Sequence, residues 1–307
     1  MNINKITNFS FLPRGAVSVL MGAFLISFSP IFVSLSDLQP TVSAFYRVFI
    51  GSIFLSAIVA LNYKRYLDNL LINRYLILAC FFFALDLWFW HRSILYIGPG
   101  MSTLIVNFQI FIIPVLSFFI FNLVPNRYQI LAIFLGALGL YITLGYGGSF
   151  SAENIRLGLI FGILTALAYS SYILSLKKND LEDSARISPV FSLLCISIVS
   201  AIILFVVIKF EGESLAINSA QNLFSMLAYG IMSHVFGWYM IILGLKTVTA
   251  TTAGIILISQ PIFSLIWEYL IFSRMTNSIE IIGISLVIIA MIICVSSERS
   301  ENNKGSN

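Results

Sequence analysis

The chain is poor in charge. Of its 307 residues only 10% are Asp, Glu, Lys or Arg while 59% are hydrophobic, which leaves too little polar surface for a soluble globule of this length. Histidine is nearly absent, with two residues, and there are three cysteines. Cys80, Cys195 and Cys294 each fall inside an apolar run at unpaired spacings, so buried packing is expected of them and not a disulfide or a metal site. The sequence also lacks a phosphate-cradling glycine loop and any nucleophile with a base at fixed spacing. Pumping by ATP hydrolysis and enzymatic catalysis are therefore not expected, and no cofactor is implied. The polar segments between apolar runs are short, so a soluble catalytic or sensory domain has no place in the chain.

What the sequence has instead is apolar runs of one length. Roughly 20 helical residues cross about 30 Å of hydrocarbon at about 1.5 Å per residue. Ten such runs can be marked, at 15–35, 41–61, 75–96, 101–121, 128–146, 157–176, 189–208, 222–244, 250–272 and 279–296. Backbone in lipid must satisfy its own hydrogen bonds, and the alternating strands of a barrel are missing, so the expected fold is an all-α integral membrane protein with ten transmembrane helices. Gly98, Pro99 and Gly100 mark a tight turn that divides the third run from the fourth. No small-residue cleavage site follows the first run, which reads as a retained span. The polar stretch 297–307 is expected to be a disordered cytoplasmic tail.

Lys and Arg set the orientation. With the N-terminus inside, the inner segments carry Lys5, Arg14, Lys64, Arg65, Arg74, Arg127, Lys177, Lys178, Arg186, Lys246, Arg299 and Lys304, and the outer ones only Arg156, Lys209 and Arg274. Both termini are expected on the cytoplasmic side of a cytoplasmic (inner) membrane. The net charge of +4 reflects this bias and not a nucleic-acid partner.

An internal repeat organises the chain. At a constant offset Pro114 matches Pro261, Ser117 matches Ser264, Arg127 matches Arg274 and Gly136 matches Gly283. Two five-helix units, 15–146 and 157–296, follow from it. Five is odd, so the second unit enters the membrane inverted, an arrangement built to rock around a site near the midplane.

These residues carry a resemblance. The spacing from a mid-helix Pro to a polar turn and on to a Gly, found twice, together with Arg47 in "SAFYRVFIG", resembles the drug/metabolite transporter superfamily, in its ten-helix form built from two EamA-type repeats. Many members place Glu at the polar turn where this chain has Arg127 and Arg274, so a role of that Glu does not carry over. The resemblance implies transport of small metabolites by a membrane carrier.

Charged residues inside spans are costly and ask for a purpose. Asp86 and Trp90 lie some 40° apart on a helix and share a face, whereas His91 and Arg92 point elsewhere. Arg92 is close enough to a span end to snorkel. Arg47 either pairs permanently with Asp86 or Glu268 or exchanges partners with a substrate or a proton. His234 falls mid-span, as a relay or as a satisfied core residue. Asn107, Gln109, Ser259 and Gln260 accompany Pro114 and Pro261, whose missing N–H groups free backbone carbonyls. Trp90 and Trp238 are the aromatic pocket candidates. Gly158 and Gly162 present a small face for close helix contact.

The expected function is secondary transport of a small polar or zwitterionic metabolite, such as an amino acid, by alternating access, driven by protons or by exchange. S-adenosylmethionine or another nucleoside-like metabolite and an organic cation lie within what the resemblance implies. A lipid-acting intramembrane enzyme and a membrane scaffold are the other classes. The partners expected are the substrate, the bilayer and protons, with the chain a monomer or weak dimer.

Overall fold

The computed structural model describes residues 14–61, 73–146, 151–182, 188–245, 247–248 and 250–302. Lys5, Lys64, Arg65, Arg186, Lys246 and Lys304, used above for orientation, lie outside these residues, as does 303–307 of the expected tail. The last helix, Ser278–Asn302, runs past residue 297, so the first part of that tail is helical. Ser, Glu and Arg tolerate a helix well once it has left the membrane.

Among the described residues nine helices are long and apolar enough to cross a membrane, and the short apolar helix Gln109–Phe121 supplies a further crossing. The helix Arg74–Val106 has 33 residues, about 50 Å if straight, which is too long for one crossing. Gly98 divides it with φ 75° and ψ 170°, a positive-φ conformation open to glycine and with an extended ψ compatible with the proline that follows. One crossing ends at Ile97, and the next starts at Pro99, where a missing N–H costs nothing. The second half of that crossing is Gln109–Phe121, after a break at Asn107 and Phe108. Ten crossings result, as expected. They are all helical, in two repeats of five.

The breaks recur. The first span is divided at Phe28 into Arg14–Ser27 and Ser29–Leu35, with Pro30 just beyond, and the ninth at Ile258 into Ala250–Leu257 and Ser259–Phe272, just ahead of Pro261. Each break leaves polar backbone that neighbours must meet. Ser264 Oγ donates to the Ser27 carbonyl at 3.0 Å, and the Trp267 indole N–H donates to Ser27 Oγ at 2.9 Å. Pro114 cannot bond the Ile110 carbonyl, and the Cys294 thiol does so instead at 3.4 Å. The matched arginines differ in setting: Arg127 opens its helix, whereas Arg274 lies in the connection before Ser278.

Packing follows the duplication. The third and fourth spans lie along the sixth, where Gly158 admits Ile97 of the third and Gly162 admits Ile105 of the fourth, the close contact expected of those glycines. The fifth and tenth cross at Gly139 and Gly283, each occupying the space a Cβ on the other would need. Gly15 and Gly22 of the first span meet Gly244 and Gly237 of the eighth in the same way, so backbone touches backbone. Exposed Phe119, Phe134, Tyr141 and Phe210 give the bundle an apolar outer surface suited to lipid.

Candidate functional site

Arg47 sits two turns into the second span, Pro40–Leu61, and is 6% exposed. Its partners come from the eighth span, which is α-helical over Ala220–Ala228 and Trp238–Leu245 but π-helical over Tyr229–Gly237. An α-helix would turn Tyr229 and His234 about 140° apart, whereas i→i+5 bonding stacks residues five apart on one face. Both therefore reach one guanidinium. Arg47 Nη1 donates to the Tyr229 hydroxyl at 3.1 Å, and Arg47 Nε donates to His234 Nδ1 at 3.4 Å. The guanidinium carbon also lies 5.0 Å from the Tyr229 ring centroid and 5.7 Å from that of Trp90. The His234 ring is seated where Gly51 has no side chain.

Hydrogen-bond logic fixes both histidines in neutral tautomers. His234 Nδ1 accepts from Arg47, so Nε2 carries the proton; it donates to Ser197 Oγ at 2.8 Å, and that hydroxyl donates to the Leu193 carbonyl. His91 Nδ1 donates to the Leu87 carbonyl at 2.7 Å, which leaves Nε2 to accept from Tyr229 at 3.2 Å. Each chain runs outward from Arg47. The cation is held by neutral groups alone, and its charge is undiminished.

Asp86 lies near the middle of the third span and is 6% exposed. Among the described residues its carboxylate has no hydrogen bond and no ion pair within 4.0 Å. Asp86 and Arg47 line the same cavity of about 100 Å³, together with Trp90, Asn107, Gln109, Tyr169, Trp238 and Gln260. Permanent pairing of Arg47 with Asp86 or Glu268 is thus not what the structure holds. Other polar atoms on this cavity are also buried without partners among the described residues: Trp90 Nε1, Trp238 Nε1, Gln109 Oε1 and Ser29 Oγ. Buried donors and acceptors left unmatched are rare, and four around one cavity beside an unpaired acid form a lining suited to a polar guest.

The remaining expected residues go elsewhere. His91 and His234 do not line the cavity, because Tyr229 and the Arg47 side chain stand between. Ser259 lines a separate apolar recess against the first and tenth spans. Pro114 and Pro261 are buried inside the helices Gln109–Phe121 and Ser259–Phe272, past the breaks that precede them. Glu268 is bound to Arg274 at 3.2 Å, far along the ninth span from Arg47's network, and also accepts the Gly100 N–H at 3.2 Å. Arg92 neither lines the cavity nor stands alone: it pairs with Glu211 at 2.6 Å, bonds Thr41 and stacks over Trp88 with 4.0 Å to the ring centroid. Beside it Glu213, outside the spans, accepts from the Val42 N–H; burial and the neighbouring Glu211 push it above the usual carboxylate range. The unexpected members are Tyr229, Tyr169, Ser29 and Ser197. A Tyr five residues before a His carries no signal in a 3.6-residue period.

Residues 13–145 and 156–296 each match the model of the EamA-like transporter family. Among 27 matching solved chains, one crystal structure superposes with a TM-score of 0.67 over 93% of this chain and 98% of its own, at 13% identity. At that identity the likeness shows the fold. No curated protein matches the sequence.

Proposed function

The chain belongs to the EamA-like transporter family, and on that premise we propose that it is a secondary carrier moving a small zwitterionic metabolite, an amino acid or a related compound, across the cytoplasmic membrane by alternating access. One observation supports the substrate class above others: Arg47 and Asp86 line a single cavity, and neither has an ion pair within 4.0 Å among the described residues. In this reading the substrate's carboxylate meets Arg47 and its ammonium meets Asp86, so both buried charges are matched only when the carrier is loaded. The indole N–H groups of Trp90 and Trp238 and the amide oxygen of Gln109 orient the rest. Both termini face the cytoplasm, and the end of the bundle carrying the Gly98 turn faces outward. The divided first, fourth and ninth spans supply the hinges.

A second reading has its own support. The indole faces of Trp90 and Trp238 beside Asp86 suit an organic cation or a nucleoside-like metabolite such as S-adenosylmethionine. The organic cation separates from the zwitterion on Arg47, which a simple cation does not need, whereas S-adenosylmethionine, with its own α-carboxylate and ammonium, needs Arg47 as an amino acid does. Uptake into proteoliposomes, screened against amino acids, S-adenosylmethionine and quaternary amines with wild type and Arg47→Ala, tests both. Flux of a zwitterion that Arg47→Ala abolishes supports the first; cation flux indifferent to Arg47 supports the second. Flux of nothing on the panel, with lipid turnover instead, would point to an enzyme.

A further inference from the structure

At the end of the bundle marked by the Gly98 turn, one guanidinium serves two buried acids. Arg274 Nη1 binds Glu268 Oε2 at 3.2 Å, and Arg274 Nη2 binds Glu280 Oε1. The side chains of Glu280, Glu268 and Arg274 are 0%, 4% and 13% exposed. Glu268 Oε2 also accepts the Gly100 N–H, and it occupies the space that a Cβ on Gly100 would need. The trio thus ties the hairpin between the ninth and tenth spans to the turn between the third and fourth. Glu280 Oε2 is buried and has no hydrogen-bond partner among the described residues. The charged groups that act on Glu268 are Arg274 and Glu280, and on Glu280 it is Arg274, with the Glu280 N–H capped by Asn277.

The charge count does not close. Two carboxylates against one guanidinium leave a negative charge in a site with almost no exposure, which low-dielectric surroundings disfavour strongly. One proton removes it. We propose that Glu280 Oε2 is a proton-binding site, and that its occupancy keeps this end of the bundle latched through Arg274, Glu268 and Gly100. With Glu280 protonated, Arg274 and Glu268 form a neutral pair and Glu268 holds the Gly100 amide. Loss of the proton makes Glu280 a full competitor for Arg274, which weakens the Arg274–Glu268 pair and frees the turn. A metal ion would have to displace the guanidinium, and no group of three or more His, Cys, Asp or Glu among the described residues could hold one. The opposite end has no counterpart: Arg127 donates to the Tyr128 hydroxyl and forms no ion pair among the described residues. Resting on the carrier reading above, the proposal assigns the coupling ion to a latch remote from the substrate cavity.

Amide exchange of purified protein, followed by mass spectrometry on a peptide containing Gly100 and corrected for the chemical exchange rate, reads the latch without a substrate. In wild type, protection there should fall about tenfold between about pH 5 and about pH 8. Glu280→Gln, which mimics the protonated acid, should stay protected throughout, and Glu268→Ala, which removes the acceptor of the Gly100 N–H, should be unprotected throughout. A wild-type peptide indifferent to pH, or a Glu280→Gln protein that keeps the wild-type response, overturns the proton site. So does sensitivity to sodium in place of pH. Coupling is read separately, as flux of the metabolite panel under an imposed pH gradient. Wild-type flux that ignores the gradient overturns the coupling role; a normal amide response with no flux at all overturns the carrier reading and leaves the proton site standing.

Discussion

Tyr229 stands between Arg47 and His91, accepting from the guanidinium at 3.1 Å and donating to the imidazole at 3.2 Å. It is fully buried, and its ring lies under the guanidinium it binds. The hydroxyl therefore aims Arg47 without touching the cavity itself. Tyr229→Phe keeps the ring and removes that link. Transport should show KM raised by about tenfold with little change in maximal rate, as expected when about 1.4 kcal/mol of binding is lost. An unchanged KM would mean that Arg47 is oriented by His234 alone.

Arg47 offers Nε and Nη1 to partners in different directions, a fork that lysine cannot reproduce. Arg47→Lys should thus retain the charge and still lose transport by about tenfold or more. Uptake by the lysine variant at wild-type rates would show that charge alone suffices.

Among the described residues Asp86 has no partner to strand, so its neutralisation should separate function from stability. Asp86→Asn is expected to abolish transport while leaving the melting temperature in detergent unchanged or higher, since an unpaired buried carboxylate is removed. Arg274→Gln makes the contrast: it leaves the buried Glu268 and Glu280 without their shared cation and should lower stability by about 3 kcal/mol. Equal destabilisation by both would mean that Asp86 has a structural partner.

The first and eighth spans meet through glycine on both sides, at Gly22 with Gly237 and at Gly15 with Gly244. Gly237→Val should push these backbones apart and cost about 2 kcal/mol or more, with a matching loss of folded protein in the membrane. Wild-type yield and melting temperature would refute the close contact.

Reporter fusions at the C-terminus should report a cytoplasmic location, from the bias of Lys and Arg among the loops. A signal from the other side would require the whole bundle, and the latch at Arg274 with it, to be turned over.

Much of this was legible in the sequence, for reasons that differ by residue. Gly98 before Pro99 announces its turn because few other residues can take a positive φ there. Asp86 and Trp90 share the cavity because a regular helix puts positions four apart on one face, and the same rule places His91 elsewhere. The partners of Arg47 were not legible. They depend on a π-helical turn, and nothing in "YGIMSHVFG" departs from an ordinary apolar span. The sequence offers Glu268 as a companion of Arg47, but its place is set by Arg274 and Gly100, in connections whose approach only the folded chain defines.

The thiol of Cys294, set against the Ile110 carbonyl that Pro114 leaves free, bears on any labelling work with this protein. Site-directed probes call for a cysteine-free background, and the usual exchange to alanine would empty that contact in the hinge of the fourth span. Serine keeps a donor at the same place. Three native cysteines thus need two different replacements, with alanine suited to Cys80 and Cys195 and serine to Cys294, before the opening of either end can be followed by spectroscopy.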